Sequence, residues 1–294
     1  MQNFSLHTHT IGFDGRHTEE KMLEQARLLG WEKIGFSNHF IVNPKIKETK
    51  MYEAALLRGY QNIYSSSFDE AIEKFKPHYD RIDELKAKTG FPIYKGMEVD
   101  FFSYDGWREG FERACEILKP DYLIGSAHLI ATENTLYNTH DLKKAGKEEQ
   151  NLLLHKYFQN VRAAAGSGLF NFMAHLDLMK KVGLGKEEQW LEDEQQTVKA
   201  IAKAGVAAEI NTSGFKLPYG EPYPSKRILK LFAEYDVPVI ISDDAHNFER
   251  LGDRFDEAEK MALEAGVKNF YDPFVCHTKQ YLNEVAFKTE VSYD

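Results

Sequence analysis

The sequence contains only two cysteines, Cys115 and Cys276, among its 294 residues. Two cysteines are too few for the disulfide framework of a small secreted domain, and they exclude a metal site built from thiolates. The first residues also lack the charged and apolar segments of a secretory signal. We therefore expect a protein of the reducing cytoplasm.

Long apolar runs and an excess of positive charge are absent as well. No apolar stretch approaches eighteen residues, so we expect no membrane-spanning helix and no membrane partner. The formal net charge is −9, whereas nucleic-acid binding needs clustered Lys and Arg. We therefore expect no nucleic acid partner and leave the oligomeric state open. A small anionic substrate is compatible with this charge if the site carries its own cations.

The sequence does contain an alternation of short apolar segments with segments of helical periodicity. The apolar, β-rich segments are FSLHTH, KIGFSNHF, FPIYKGMEVDFF, DYLIGSAHLI, LFNFMAHLDL, VAAEINTS and VPVIISDDAH. Between them lie helical stripes, such as Met22, Ala26 and Leu29, which follow the cap residue Thr18. This alternation is typical of an α/β protein with a parallel sheet covered by helices.

The polar residues that end these segments favour a barrel over an open sheet. Six of the seven segments carry His, Glu or Asp at or just beyond the carboxyl end, and the seventh carries Asn211. In a (β/α) barrel all such ends converge on one face, whereas a doubly wound sheet gathers ligands at one switch point. We predict a seven-stranded barrel that forms a single domain over residues 1–294. Residues 43–88 are interpreted as a helical insertion beside the site, kinked or divided at Pro77.

The first segment ends in two histidines, His7 and His9, one residue apart. Side chains alternate along a strand, so both imidazoles face the same side and can bind one metal ion. Asp14 follows on a turn in which Gly12 and Gly15 permit a tight bend. Taken alone, this H-x-H pattern fits two histidines in a polar turn equally well.

Further imidazoles and carboxylates strengthen the metal interpretation. Six of the eleven histidines lie at predicted strand ends, where an apolar strand has little structural use for them. The additional candidates after the first strand are His39, Glu98, His128, His175, Asp244 and His246. Imidazole and carboxylate ligands suit zinc, manganese or iron. Scattered core or capping histidines are the alternative.

In that order, the motifs HTHT…DG, SNH, GMEVD, GSAH, AHLD and SDDAH resemble those of the PHP (polymerase and histidinol phosphatase) superfamily, over residues 4 to about 250. The resemblance implies a distorted, TIM-like seven-stranded barrel with three divalent metal ions. It implies that Glu98 bridges two of the ions. The implied ligand sets are His7, His9, Glu98 and Asp244 for the first ion, Glu98, His128 and His175 for the second, and Asp14, His39 and His246 for the third.

The segments DYLIGSAHLI, AHLDLMKK and EINTSGFKLPYGEPYPS resemble the monofunctional histidinol-phosphatase branch of that superfamily. The implied reaction is hydrolysis of L-histidinol phosphate, a step of histidine biosynthesis, by hydroxide formed on the metal ions. The alternatives are a PHP phosphoesterase that acts on another ester such as a nucleotide, and a metal-stabilised module that binds a partner. An amidohydrolase would usually need a bridging lysine where this chain has Glu98.

Further residues are candidates for catalysis and substrate binding. Asp177 is a candidate proton donor, although it could equally cap a helix, and His17 is a second candidate that could also replace Asp14 as a ligand. The candidate substrate contacts are Arg16, Lys180, Lys181, Asn211, Ser213 and Lys216. Solvated lysines and ordinary turn chemistry are the alternatives for these. We interpret the remaining histidines as surface or packing residues: His78, His140, His155 and His277.

Overall fold

The computed structural model describes residues 2–133, 135–184 and 188–275. Its strands are β1 (Phe4–Ser5), β2 (Lys33–Phe36), β3 (His39–Val42), β4 (Tyr64–Ser65), β5 (Ile93–Asp100), β6 (Tyr122–Ser126), β7 (Leu129–Ala131), β8 (Leu136–Asn138), β9 (Phe172–Met173), β10 (Ala207–Asn211) and β11 (Val239–Ser242). Its α-helices are α1 (Glu19–Leu28), α2 (Lys50–Leu57), α3 (Phe68–Thr89), α4 (Trp107–Leu118), α5 (Thr139–Leu142), α6 (Lys147–Gly166), α7 (Leu191–Ala204), α8 (Lys226–Glu234) and α9 (Phe255–Ala265). Short 3₁₀ turns lie at Ile46–Glu48, Leu178–Val182, Glu188–Trp190, Thr212–Lys216 and Phe248–Arg250.

Seven parallel strands form a nearly closed barrel in the order β1, β2, β5, β6, β9, β10, β11. The ring closes between β11 and β1 through a parallel bridge of Thr8 with Ala245. There the backbone N–H of His9 donates to the carbonyl of Ala245 at 2.9 Å. Each of the seven predicted segments contributes one barrel strand, which confirms the predicted fold. No helix in the described part of the chain is long and apolar enough to cross a membrane.

Helix α1 follows the predicted pattern with one difference. The Thr18 side chain accepts a hydrogen bond from the backbone N–H of Lys21, and Met22 and Ala26 are buried. Leu29, which was expected on the same buried face, is 44% exposed. The helix ends at Leu28, so Leu29 occupies the C-cap and turns away from the barrel.

Residues 43–88 contain α2, β4 and most of α3. Helix α3 runs through Pro77 without interruption, so the expected division there was wrong. A proline inside a helix costs about 3 kcal/mol, but burial of each large apolar side chain contributes about 1.5–3 kcal/mol. Phe75, Ile82 and Leu85 are buried along this helix and offset that cost. The single domain and the insertion stay predictions.

The floor of the barrel interior is built around one aromatic ring. Tyr122 is buried and its hydroxyl donates to the carbonyl of Leu6 at 2.5 Å. Gly35 and Gly96 make room for the ring, because a Cβ atom on either residue would overlap it. The ring packs among apolar side chains that point inward, including Ile124. This apolar layer forms the floor beneath the polar end of the barrel.

We predict that Gly96→Ala destabilises the protein by about 1–3 kcal/mol, because the new methyl group displaces the Tyr122 ring from a full interior. The free energy of unfolding in urea measures the effect. The control is Gly166→Ala at the end of α6, where a Cβ atom meets open space; it should be neutral or slightly stabilising. Equal stability of wild type and Gly96→Ala would contradict this packing.

Candidate metal centre

All nine predicted metal ligands meet at the carboxyl end of the barrel, around Glu98. This carboxylate is fully buried in β5. Its Oε2 atom lies 2.7 Å from Nδ1 of His39 and 3.3 Å from Nε2 of His7. Its Oε1 atom lies 2.8 Å from Nε2 of His175 and 3.4 Å from Nε2 of His128. Oε2 also lies 3.6 Å from Nε2 of His9. The two oxygens therefore face different sets of imidazoles, as the expected bridging role of Glu98 requires.

Two aspartates complete the cluster on the side of β1 and β11. Asp14 Oδ2 lies 3.2 Å from Nε2 of His39 and 3.0 Å from Nε2 of His246. Asp244 Oδ1 lies 3.1 Å from Nε2 of His9. Asp244 adopts a left-handed backbone conformation with φ of 48°, which aspartate tolerates better than most residues.

Four overlapping groups in the described residues bring ligand atoms within 4.8 Å of one another. The groups are His9, Asp14, His39 and His246; His7, His175 and Asp244; His7, His9 and Glu98; and His39, Glu98 and His128. The first contains the set expected for the third ion, with His9 added. Glu98 belongs to two groups, in line with the expected bridge.

The chemistry of these donors fits divalent cations. Several buried atoms of the cluster make no hydrogen bond of normal geometry within the described residues, although some lie close to an opposite charge: His7 Nε2, both ring nitrogens of His9, Asp14 Oδ1, His39 Nδ1, Glu98 Oε2 and His175 Nδ1. A buried polar atom without a partner costs about 1–3 kcal/mol, and a bound cation removes that cost. Imidazole and carboxylate donors without thiolate suit zinc, manganese or iron.

The charges of the cluster stabilise one another. Burial raises the pKa of Glu98, but the neighbouring imidazolium groups of His39 and His128 outweigh it and hold that pKa well below its usual value. Burial lowers the pKa of His9 to about 4, and the positive charges of His246 and His39 act in the same direction. Metal ions bind neutral imidazole, so binding of cations here displaces protons.

Two carboxylates that sequence reasoning missed orient the imidazoles. Glu209 Oε1 lies 2.5 Å from Nδ1 of His7, and Glu209 Oε2 accepts from the backbone N–H of His175 at 3.0 Å. Asp100 Oδ1 lies 2.6 Å from Nδ1 of His128. Such carboxylates fix the ring so that its other nitrogen faces the metal. The sequence contained a signal for each of them. Glu209 is an acid inside an apolar segment, and Asp100 follows Glu98 by two residues, so both side chains face the same side of the strand.

The turn that carries Asp14 is held against the first strand. A Cβ atom on Gly15 would collide with the backbone of His9 and Thr10, so only glycine fits there. The next residue, Arg16, donates its backbone N–H to the carbonyl of His246 at 2.7 Å. These contacts place Asp14 beside His246. Gly12 adopts a φ of 93°, so the turn requires both glycines.

A buried polar chain supports the same turn from below. His78 Nδ1 lies 2.6 Å from Glu19 Oε1, and its Nε2 accepts from the side-chain amide of Asn38 at 3.0 Å. Asn38 Oδ1 in turn accepts from the backbone N–H of Thr10 at 2.8 Å. Burial lowers the pKa of His78, in keeping with a neutral ring that donates to Glu19 and accepts from Asn38. His78 is thus a packing residue. His140 and His155 lie at the surface. Cys276 and His277 lie outside the described residues.

The structure ties Asp177 and Lys180 to each other. Both side chains are buried, and Lys180 Nζ lies 3.2 Å from Asp177 Oδ2 and donates to the carbonyl of Pro222 at 2.7 Å. Asp177 Oδ2 also accepts from the backbone N–H of Ser225. This ion pair gives Lys180 a structural role. The expected contact of Lys180 with the substrate stays a prediction, and the buried position of its side chain does not support it.

The other candidates lie closer to the mouth. The side chains of Asn211 and Ser213 donate to Asp244 Oδ2 at 3.3 and 3.5 Å, so both position this carboxylate. Arg16, Lys181 and Lys216 are exposed. The pKa of Lys216 is lowered by loss of solvation and then by Arg250.

His17 packs edge-on against Phe248 at 4.7 Å between ring centroids. It belongs to none of the four ligand groups found in the described residues. Asp14, and not His17, therefore lies beside His39 and His246, the other two residues expected to bind the third ion.

In a comparison with known protein families, residues 4–213 of this chain match the PHP domain. A Deinococcus radiodurans protein named "Probable histidinol-phosphatase" is 30% identical over 211 residues, which cover 69% of this chain and 77% of that protein. A Schizosaccharomyces pombe protein of the same name is 23% identical over 286 residues, or 90% of this chain and 87% of that protein.

A solved structure shows the same fold. The histidinol phosphate phosphatase of Lactococcus lactis, complexed with zinc, L-histidinol and phosphate, has a TM-score of 0.68 and 18% identity. The match covers 91% of this chain and 95% of that chain. At this identity the likeness shows a shared fold.

We predict that Glu209→Gln weakens metal binding by about 10–100-fold, because His7 loses the carboxylate that orients its ring. Competition between the protein and a chromophoric chelator for zinc measures the affinity. Glu234→Gln on the exposed end of α8 is the control and should bind zinc as the wild type does. An unchanged affinity in Glu209→Gln would show that Glu209 has no part in orienting His7.

Proposed function

The chain belongs to the PHP domain family, and from this premise we propose that it is a metal-dependent phosphatase that hydrolyses L-histidinol phosphate to L-histidinol and phosphate. The observation that carries the proposal is the buried Glu98, with imidazoles on both of its oxygens. The names of the Deinococcus and Schizosaccharomyces relatives, and the ligands of the Lactococcus structure, support histidinol phosphate as the substrate.

We propose three divalent ions at this site, with Glu98 as the bridging ligand. The zinc of the Lactococcus structure supports zinc, and manganese and iron suit the same donors. When bound, such ions act as Lewis acids toward a phosphoryl oxygen and lower the pKa of water. Three divalent ions and the ligand carboxylates of Asp14, Glu98 and Asp244 sum to about +3, and the orienting carboxylates of Asp100 and Glu209 reduce this to about +1. A site of this charge favours a phosphate monoester dianion over a neutral ester.

The protein's own groups would prepare and protect this site. Asp100 and Glu209 hold the rings of His128 and His7 in fixed orientations, so little reorganisation is needed when charge develops on the substrate. Arg16 and Lys216 are exposed near the mouth and supply cations that attract the anion. This arrangement would attract and orient the phosphoryl group.

Protonation of the leaving alkoxide needs a donor, and two candidates remain. Asp177 Oδ1 and His17 Nδ1 are buried and have no hydrogen-bond partner among the described residues. Either atom could carry a proton toward the substrate oxygen. Both roles stay predictions, as do a cytoplasmic location and the absence of nucleic acid partners.

We predict that chelator-treated protein releases phosphate from histidinol phosphate at least about a hundredfold more slowly than zinc- or manganese-reloaded protein, since charge stabilisation of this kind contributes at least that factor. Phosphate release is measured against a panel of nucleotides and sugar phosphates. Histidinol phosphate should have the highest kcat/KM of the panel.

Two results would contradict the proposal in different ways. Turnover of nucleotides without turnover of histidinol phosphate would assign the protein to another phosphoesterase activity. Failure of every metal to restore hydrolysis of any ester would favour a metal-stabilised binding module. Glu234→Gln serves as the control for preparation and reloading.

A further inference from the structure

The short strand between α2 and α3 carries a tyrosine that faces the metal centre. Strand β4 pairs in parallel with β3, and Tyr64 lies opposite Ile41. His39 lies two residues before Ile41, so both side chains point to the same side of the strand. Residues that lie opposite each other on neighbouring strands point to the same face of the sheet. Tyr64 therefore points to the face on which His39 contacts Glu98. The phenol lies farther out from the barrel floor than His39 does.

The backbone around Tyr64 is fixed against the mouth of the site. The carbonyl of Ser65 accepts from the backbone N–H of Asn43 at 3.0 Å, and the carbonyl of Tyr64 accepts from Lys74 Nζ at 2.7 Å. A Cβ atom on Gly12 would lie 3.5 Å from the side-chain amide of Asn62. This segment therefore runs along the turn that carries Asp14.

The charges of two acids of the site act on the phenol. Burial raises the pKa of Tyr64 above its usual value, and the negative charges of Asp100 and Asp14 raise it further. Both acids belong to the site, since Asp100 orients His128 and Asp14 is a candidate metal ligand. At neutral pH the hydroxyl is protonated and acts as a neutral hydrogen-bond donor.

The hydroxyl of Tyr64 is also available. It forms no hydrogen bond with any other residue of the described ranges, although the ring is half-buried against the core. Tyr104, which is half-buried close by, is different. Its hydroxyl donates to the carbonyl of Val42 at 3.2 Å, and burial alone raises its pKa to about 12. One tyrosine thus supports the strand, while the other points an unused donor toward the site.

Resting on the proposed function, we propose that Tyr64 is a substrate-binding residue whose hydroxyl donates a hydrogen bond to a phosphoryl oxygen of the substrate. Ions held between Asp14, His39 and Glu98 would draw the phosphoryl group beneath the phenol. A neutral donor at this position adds an interaction with the anion and adds no further charge to the site. The segment between α2 and α3 then forms one wall of the substrate site.

The test compares Tyr64→Phe with Tyr104→Phe in zinc-reloaded protein. Each substitution removes one hydroxyl and retains the ring. Because a hydrogen bond to a charged group is lost, Tyr64→Phe should reduce kcat/KM for histidinol phosphate about tenfold and weaken binding of inorganic phosphate by a similar factor, measured by calorimetry. Its zinc content and Tm should match those of the wild type. Tyr104→Phe should keep the wild-type kinetics and phosphate affinity and lose only some thermal stability.

The outcomes separate this inference from the proposed function. Wild-type affinity for phosphate in Tyr64→Phe, together with wild-type kinetics, would overturn the role of Tyr64 and leave the phosphatase proposal intact. Loss of zinc from Tyr64→Phe would also overturn it, because the residue would then support the metal centre instead of the substrate. A wild-type protein that hydrolyses no phosphate monoester would refute the proposed function itself.

Discussion

The structure depends on one buried carboxylate, Glu98, and on the positive charge that surrounds it. An isolated carboxylate inside a protein costs several kcal/mol of solvation, which only close opposite charge repays. Here one oxygen faces two imidazoles and the other faces three. Those imidazoles come from four different strand ends, so the barrel must bring all of them together for Glu98 to be tolerated. The same imidazole and carboxylate donors fit divalent cations once the imidazoles have lost their protons.

The barrel meets this demand by separating its interior into two layers. Tyr122 and its apolar neighbours fill the floor, where Gly35 and Gly96 leave room for the ring. Polar side chains occupy the carboxyl end, where Glu209 and Asp100 hold imidazoles in place. A chain of buried hydrogen bonds also holds the turn with Asp14. It runs from Thr10 through Asn38 to His78 and Glu19. The proposed phosphatase chemistry uses the rigidity of these layers.

The sequence alone predicted the barrel and the proximity of the nine ligand candidates, because the carboxyl ends of all strands in such a barrel lie on one face. It did not reveal Glu209 or Asp100, whose role appears only when the strands are side by side. It misjudged Pro77, since local helix propensity says nothing about the apolar stripe that packs α3 onto the barrel. It also presented Lys180 as a free cation, whereas its nearest carboxylate, Asp177, lies three residues earlier in the chain and is buried with it.

The central claim is that Glu98 bridges two metal ions. Anomalous diffraction at the zinc absorption edge, from crystals of zinc-loaded protein, tests it most directly. We expect three anomalous peaks, of which two each lie about 2.0–2.2 Å from a different oxygen of Glu98. One of these two should lie on the side of His39 and His7 and the other on the side of His128 and His175. Peaks that all lie beyond coordination distance of Glu98, or a single ion bound through only one of its oxygens, would contradict the claim.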